Sequence, residues 1–141
     1  MSSRNQRFFE LKTYAIVANT DLGPFPILLV DELQDLGKTV YPIDLGGSRY
    51  VSGDEAFPSL LEAPPGIEAV IIALPRHRVG QVVEELPELH IRELWIQGGI
   101  SLQTLARCEE LGVEVHEADA HVYTRPGFSF GKLLLKISGK Y

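Results

Sequence analysis

A chain of 141 residues, 45% hydrophobic and 23% charged, has the composition of a folded globular domain, which excludes a disordered or fibrous protein and gives one domain-sized core. Its formal charge of −6 argues against general nucleic-acid binding, which draws its affinity from basic groups set against phosphates. A single cysteine, Cys108, excludes an internal disulfide, the opening MSSRNQRFF lacks the features of a secretion signal, and no stretch approaches the ~20 apolar residues of a membrane span, so the expected setting is a reducing cytoplasm away from membranes.

In chain order, the first element is the apolar run YAIVA from Tyr14, rich in the residue types of a strand covered on both faces. The turn Ala18-Asn19-Thr20-Asp21-Leu22-Gly23-Pro24 follows, then a helix with Pro26 in its first turn and Gly37 at its end. KTVYPI, Lys38 to Ile43, is a more polar strand, and Pro42, which has no N–H for a ladder, belongs at an edge or a strand end. AFPSLLEAP fits one or two helical turns, and AVIIAL is a third strand. Val79, Val82, Val83 and Leu86 then form a helical stripe at i, i+3, i+4 and i+7. ELWIQ is a fourth strand. Ser101 is the expected N-cap of a helix whose stripe, Leu102, Leu105, Ala106 and Leu111, should face the sheet, with Gly112 closing it before the fifth strand, VEVHEA.

Alternating strands and helices with short connections predict an α/β fold: a Rossmann-like, three-layer open sheet of about five parallel strands, ordered 3-2-1-4-5, with helices on both faces. The domain is expected over residues 1–122. The remainder, 123–141, is expected to be a basic tail, helical over residues 129–138 through Phe130, Leu133, Leu134 and Ile137, packed on the domain or on a partner. From His121 onward there are four bases and no acids, so all nineteen acids and nine bases precede it.

A ligand of such a sheet lies beyond the carboxyl ends of the strands. Loops beginning at Asn19, Asp44, Pro75, Gln97 and Asp119 would therefore frame it. The first lacks the glycines of a dinucleotide fingerprint, and an Asx-capped structural turn is its plainer reading. Arg76, His77 and Arg78 open a helix at its positive end, a conflict that a bound anion would relieve. The glycines of IQGGI, Gly98 and Gly99, present backbone N–H groups at another helix start. The four histidines have no metal-ligand spacing, nothing pairs a nucleophile with a base, and Cys108 falls within a helical pattern where a buried, inert thiol is expected.

The succession LGKTVYPIDL, VSGDEAFPSLLEAP, EAVIIALP and LWIQGGI resembles the stand-alone coenzyme A-binding domains related to the nucleotide-binding domain of the succinyl-CoA synthetase α subunit. The resemblance covers about residues 10–122, and Trp95, Gln97, Gly99 and Ile100 are its most specific part. It implies non-catalytic binding of CoA or an acyl-CoA at the C-terminal edge of the sheet. The phosphates would lie near Asn19 and Thr20, the adenosine near Ile43 and Asp44, and the pantetheine arm past Leu74, Pro75 and Gln97, with Gly98 and Arg76 alongside. The sequence departs from the family where Ala18-Asn19-Thr20 replaces Gly-Ala-Ser, where Asp44 replaces Asn, and at Ala120, where a cysteine is common. Asp44 would repel the 3′-phosphate of CoA unless it points away or Arg49 offsets it. Two alternatives stay open: an NAD-type adenine dinucleotide module, in which Asp44 holds the ribose, and a protein-interaction module with a degenerate site. The expected partners are a small-molecule nucleotide and, through the tail, a second copy or another protein, with no nucleic acid or membrane.

Overall fold

The computed structural model describes residues 7–117. The expected tail helix, the domain boundary at 122, the Asp119–His121 loop and Ala120 lie outside the described residues. Five strands, β1 (Thr13–Ala18), β2 (Thr39–Asp44), β5 (Ala69–Ile72), β6 (Glu93–Ile96) and β7 (Glu114–Glu117), form one parallel sheet. A short antiparallel hairpin, β3 (Tyr50–Val51) and β4 (Asp54–Glu55), follows β2. Helices α1 (Ile27–Asp35), α2 (Arg76–Val83) and α3 (Leu102–Leu111) lie, in chain order, between the strands of the sheet. This is the expected Rossmann-like α/β fold. No helix among the described residues is long and apolar enough to cross a membrane.

The strand order differs from the expectation in one place. The sheet runs β2-β1-β5-β6-β7, so the third long strand lies beside the first rather than outside the second. Residues 69–72 are all fully buried, and a run apolar on both faces needs a central position. The place beyond β2 is taken instead by Phe57, whose N–H donates to the Pro42 carbonyl and whose own carbonyl accepts from Asp44 N–H. The two more polar strands, β2 and β7, are the edges, as their composition predicts.

Each face of the sheet has its own core. Phe8, Phe9, Tyr14, Ile16 and Trp95 pack with Leu29, Val30 and Leu33 of α1 on one side. On the other, Ala15, Val17, Ile43 and Ile72 pack with Val79, Val82, Val83, Leu86 and Cys108, so the α2 stripe faces inward as expected. The aromatic pair Phe8–Phe9, unremarked in the sequence, lies 5.5 and 5.0 Å from the Trp95 ring.

The α3 expectation requires a correction. Leu102 is 81% exposed and Leu105 41% exposed, and Ala106 also faces outward. The inward positions are Thr104, Cys108 and Leu111. Thr104 packs toward α2, where a Cβ at Gly80 would stand 3.4 Å from Thr104 Oγ1, an ordinary contact. Ser101 caps the helix as predicted, its Oγ accepting from Thr104 N–H at 3.1 Å. Gly37 and Gly112 adopt the left-handed conformation (φ 83° and 72°) after the ends of α1 and α3, where glycine carries no Cβ penalty.

Candidate functional site

Strand register brings the loops together. Ala18 pairs with Asp44, Val17 with Ile72, and Ile72 with Ile96, so four successive strands, β2, β1, β5 and β6, end at nearly one level. In the observed order the connections diverge between β1 and β5, and the ligand crevice of an open α/β sheet opens at such a switch point. A cavity of about 310 Å³ lies there, walled by Ala18, Asn19 and Gly23 from the first loop, Leu74 and Pro75 after β5, and Gln97 and Gly98 after β6. Of the residues proposed from sequence, Asn19, Leu74, Pro75, Gln97 and Gly98 line this one space. Ala18, Leu22, Gly23, Pro24 and Ala73 line it too. They were missed because apolar and small residues carry no chemical signature in a sequence.

The first loop is closed by its neighbour rather than by glycines. Asn19 Oδ1 accepts from Asp21 N–H at 2.9 Å, an Asx turn, and Leu22 N–H reaches the Asn19 carbonyl. Asp44, fully buried at the end of β2, then joins two loops. Its Oδ1 accepts from Thr20 N–H at 2.9 Å and Gly46 N–H at 2.8 Å. Its Oδ2 accepts from Thr20 Oγ1 at 2.7 Å and Ser48 N–H at 3.2 Å. Burial alone would raise the Asp44 pKa, but the donors from Ser48, Thr20 and Gly46 outweigh it and bring it down to about 2. Asp44 is thus wholly engaged by the two loops and is not among the residues that wall the cavity. Gly46 fits only as glycine, since a Cβ there would stand 2.5 Å from Thr20 Oγ1 and 3.0 Å from Asp44 Oδ1.

The other proposed residues are dispersed around this centre. Ile43 is fully buried in the α2-side core. Arg49 is exposed, its carbonyl accepting from Ala56 N–H across the base of the hairpin. Arg76 is exposed at the start of α2, and its guanidinium lies over Gly99, whose ideal Cβ would be 2.9 Å from Arg76 Nε. The cation therefore stands one residue from the cavity wall at Gly98. Gly98 itself passes close to the Leu74 carbonyl, 3.4 Å from where its Cβ would be. At these two glycines the β6 loop passes close to the β5 loop and lies beneath the Arg76 guanidinium.

Cys108 is buried, and burial, with Glu84 second, pushes its thiol up, away from a reactive thiolate. His116, buried on β7, bonds Glu93 at 2.8 Å near the opposite end of the sheet, with Glu114 close by.

The model of the CoA binding domain matches residues 12–122, most of the chain and all of the site just described. This chain belongs to the CoA binding domain family. No match was found among curated proteins. Among solved structures, a hypothetical protein from Pyrococcus horikoshii OT3 is similar over 83% of this chain and 84% of that one, with 21% identity and a TM-score of 0.71. A Thermus thermophilus protein is similar over 83% and 91%, with 19% identity and a TM-score of 0.66. A dinucleotide-forming acetyl-coenzyme A synthetase 1 of Ca. Korarchaeum cryptofilum, in complex with phosphate and ADP, matches 78% of this chain but only 26% of its own, with 18% identity and a TM-score of 0.66. At these identities the structures establish a shared fold. Against the glycine-bearing first loop expected of CoA-binding domains, this member substitutes an Asx turn pinned by a buried carboxylate.

Proposed function

We propose that this chain is a non-catalytic module that binds coenzyme A or an acyl-CoA at the C-terminal edge of its sheet. The observation that carries the proposal is the cavity at the switch point, formed jointly by the loops after β1, β5 and β6 in a chain of the CoA binding domain family. Asn19 and the Thr20 turn would face the phosphates, with Arg76 as the nearest cation over Gly99. Leu74, Pro75, Gln97 and Gly98 would flank the pantetheine arm. Ile43 and Asp44 serve as positioning residues: the first packs beneath the site, and the second holds the two loops together. Arg49 is the exposed cation on the adenosine side.

The direction of Asp44 favours CoA over the dinucleotide reading. A carboxylate that already accepts four hydrogen bonds has no free acceptor for ribose hydroxyls, and facing inward it does not stand against a 3′-phosphate. Calorimetric titration of CoA, dephospho-CoA and NAD into the wild type tests the assignment. The expected result is tightest binding of CoA, weakened by salt and by Arg76→Ala, because exposed charge pairs are screened over ~10 Å at moderate ionic strength. Preference for NAD, or equal affinity in Arg76→Ala, would overturn the assignment in whole or at that residue. Absence of binding by all three would favour an interaction module with a vacant site.

A further inference from the structure

A second cavity, of about 440 Å³, adjoins the first and shares Gln97 with it. Its walls come from the opening turn of α1: Phe25, Ile27, Leu28, Leu29 and, one turn further on, Glu32. The sequence PFPILLVDEL puts four consecutive apolar residues, Ile27 to Val30, into a first helical turn with no acidic residue. Leu29 and Val30 are buried on the sheet, whereas Ile27 is 41% and Leu28 75% exposed. Packing of α1 therefore accounts for only half of this apolar turn. The exposed half lines the cavity, and Leu22, 48% exposed, continues the apolar surface into the first cavity.

We infer that this second cavity receives the acyl chain of a neutral, straight-chain acyl thioester of CoA. The inference rests on the CoA reading above and on direction. If the phosphates lie at the Asn19–Thr20 turn and the pantetheine arm passes Leu74 and Pro75, the thiol end emerges beside Gln97. The next surface beyond Gln97 is the Phe25–Leu29 wall. Both volumes fall in the range of small-molecule sites, about 300 to 1,000 Å³. Glu32 also lines this cavity, flanked on α1 by Asp31 and Asp35. Burial first, then Asp35 and Asp31, pushes the Glu32 carboxyl up, which marks a place where further negative charge is disfavoured. An acyl group ending in a carboxylate would meet that acidic side, and one ending in a methyl would not.

The test is calorimetry on the full chain with CoA, butyryl-CoA, hexanoyl-CoA and succinyl-CoA. A fully buried methylene improves affinity by about fourfold, and partial burial still predicts hexanoyl-CoA at least about tenfold tighter than CoA. Succinyl-CoA should bind more weakly than butyryl-CoA, with the gap narrowed in Glu32→Gln. The ratio of hexanoyl-CoA to CoA affinity should fall below about three in Leu28→Asp, which puts a charge in the chain's path. That variant should keep its fold, because the site is exposed and an acid in a first helical turn suits the helix dipole. The ratio should be unchanged in Leu102→Ser, on the exposed face of α3. A CoA affinity that hexanoylation leaves unaltered would overturn this inference and leave the CoA reading standing. A gain that survives Leu28→Asp would place the chain elsewhere and also overturn it. Failure of CoA itself to bind would overturn both.

Discussion

Asp44 is the residue on which the site's architecture turns. Its carboxyl is held to about 2 in the fold against an ordinary value of 3.8, so the folded state prefers the ionised form. The sign follows: the stabilisation is complete above about pH 4 and is lost as the pH falls through about 2. Asp44→Asn would keep the shape but turn an amide donor toward groups that are themselves donors. At pH 7 the variant should lose on the order of 1 to 3 kcal/mol of unfolding free energy, the cost of unmet buried hydrogen bonds. Denaturant titrations at pH 7 and near pH 2 would check this, with the gap between the two proteins closing at the acidic end. The sequence placed Asp44 at the end of the second strand, beside the ligand. Its inward direction was not legible, because Thr20, Gly46 and Ser48 become its partners only when β1 and β2 are paired in register.

At the scale of elements, the two stripes read from periodicity met different fates. The α2 stripe faces the core, and Leu86→Ala should cost about 2 to 5 kcal/mol as the transfer and cavity terms add. Of the α3 stripe only Leu111 does, and Leu102→Ser should change stability by no more than about 0.5 kcal/mol. Thermal or urea unfolding of both variants separates the cases. Periodicity finds an apolar face, but what that face meets depends on the neighbouring element. Here Thr104 lies against Gly80 of α2, and the polar threonine is turned inward while Leu102 and Leu105 turn out. The polar composition of β2 and β7 does mark the two edges, although the expected order 3-2-1-4-5 set the third strand at an edge and the second inside. The order was misassigned at the third because no local signal announces that Phe57 closes the β2 edge.

For the whole molecule, the two cores share a single sheet, so a ligand bound at the sheet's edge should stabilise both together. With one cooperative unit, CoA at about a hundred times its dissociation constant adds roughly 2.7 kcal/mol. This corresponds to a rise in melting temperature on the order of 10 °C for a domain of this size. Differential scanning calorimetry should show one transition moving upward intact. A transition that splits, or one unmoved at saturation, would contradict a ligand seated where the loops of three central strands converge. The fold as a whole was legible because parallel sheets demand long apolar runs at regular spacing, and that pattern is distributed over the entire chain. Asn19, Gln97 and Gly98 were legible as polar or glycine residues at strand ends and Leu74 and Pro75 through the family resemblance, whereas Ala18, Leu22, Gly23, Pro24 and Ala73 had to be read from the structure.

The Asp44 clasp also bears on how such a sequence can change over generations. One carboxylate serves Thr20 in one loop and Gly46 and Ser48 in another, and the absence of a side chain at Gly46 is what leaves room for Thr20 Oγ1. Thr20, Asp44 and Gly46 therefore depend on one another for their geometry. Replacing one alters the effect of replacing the others, as for any residues that share a hydrogen-bond network. A lineage moving from a loop of the Gly-Ala-Ser kind, with Asn at the end of the second strand, to the present arrangement would pass through intermediates poorer than either end. Once assembled, the clasp resists piecemeal reversal, and descendants of this chain should vary freely on the outer face of α3 long before they vary at these three positions.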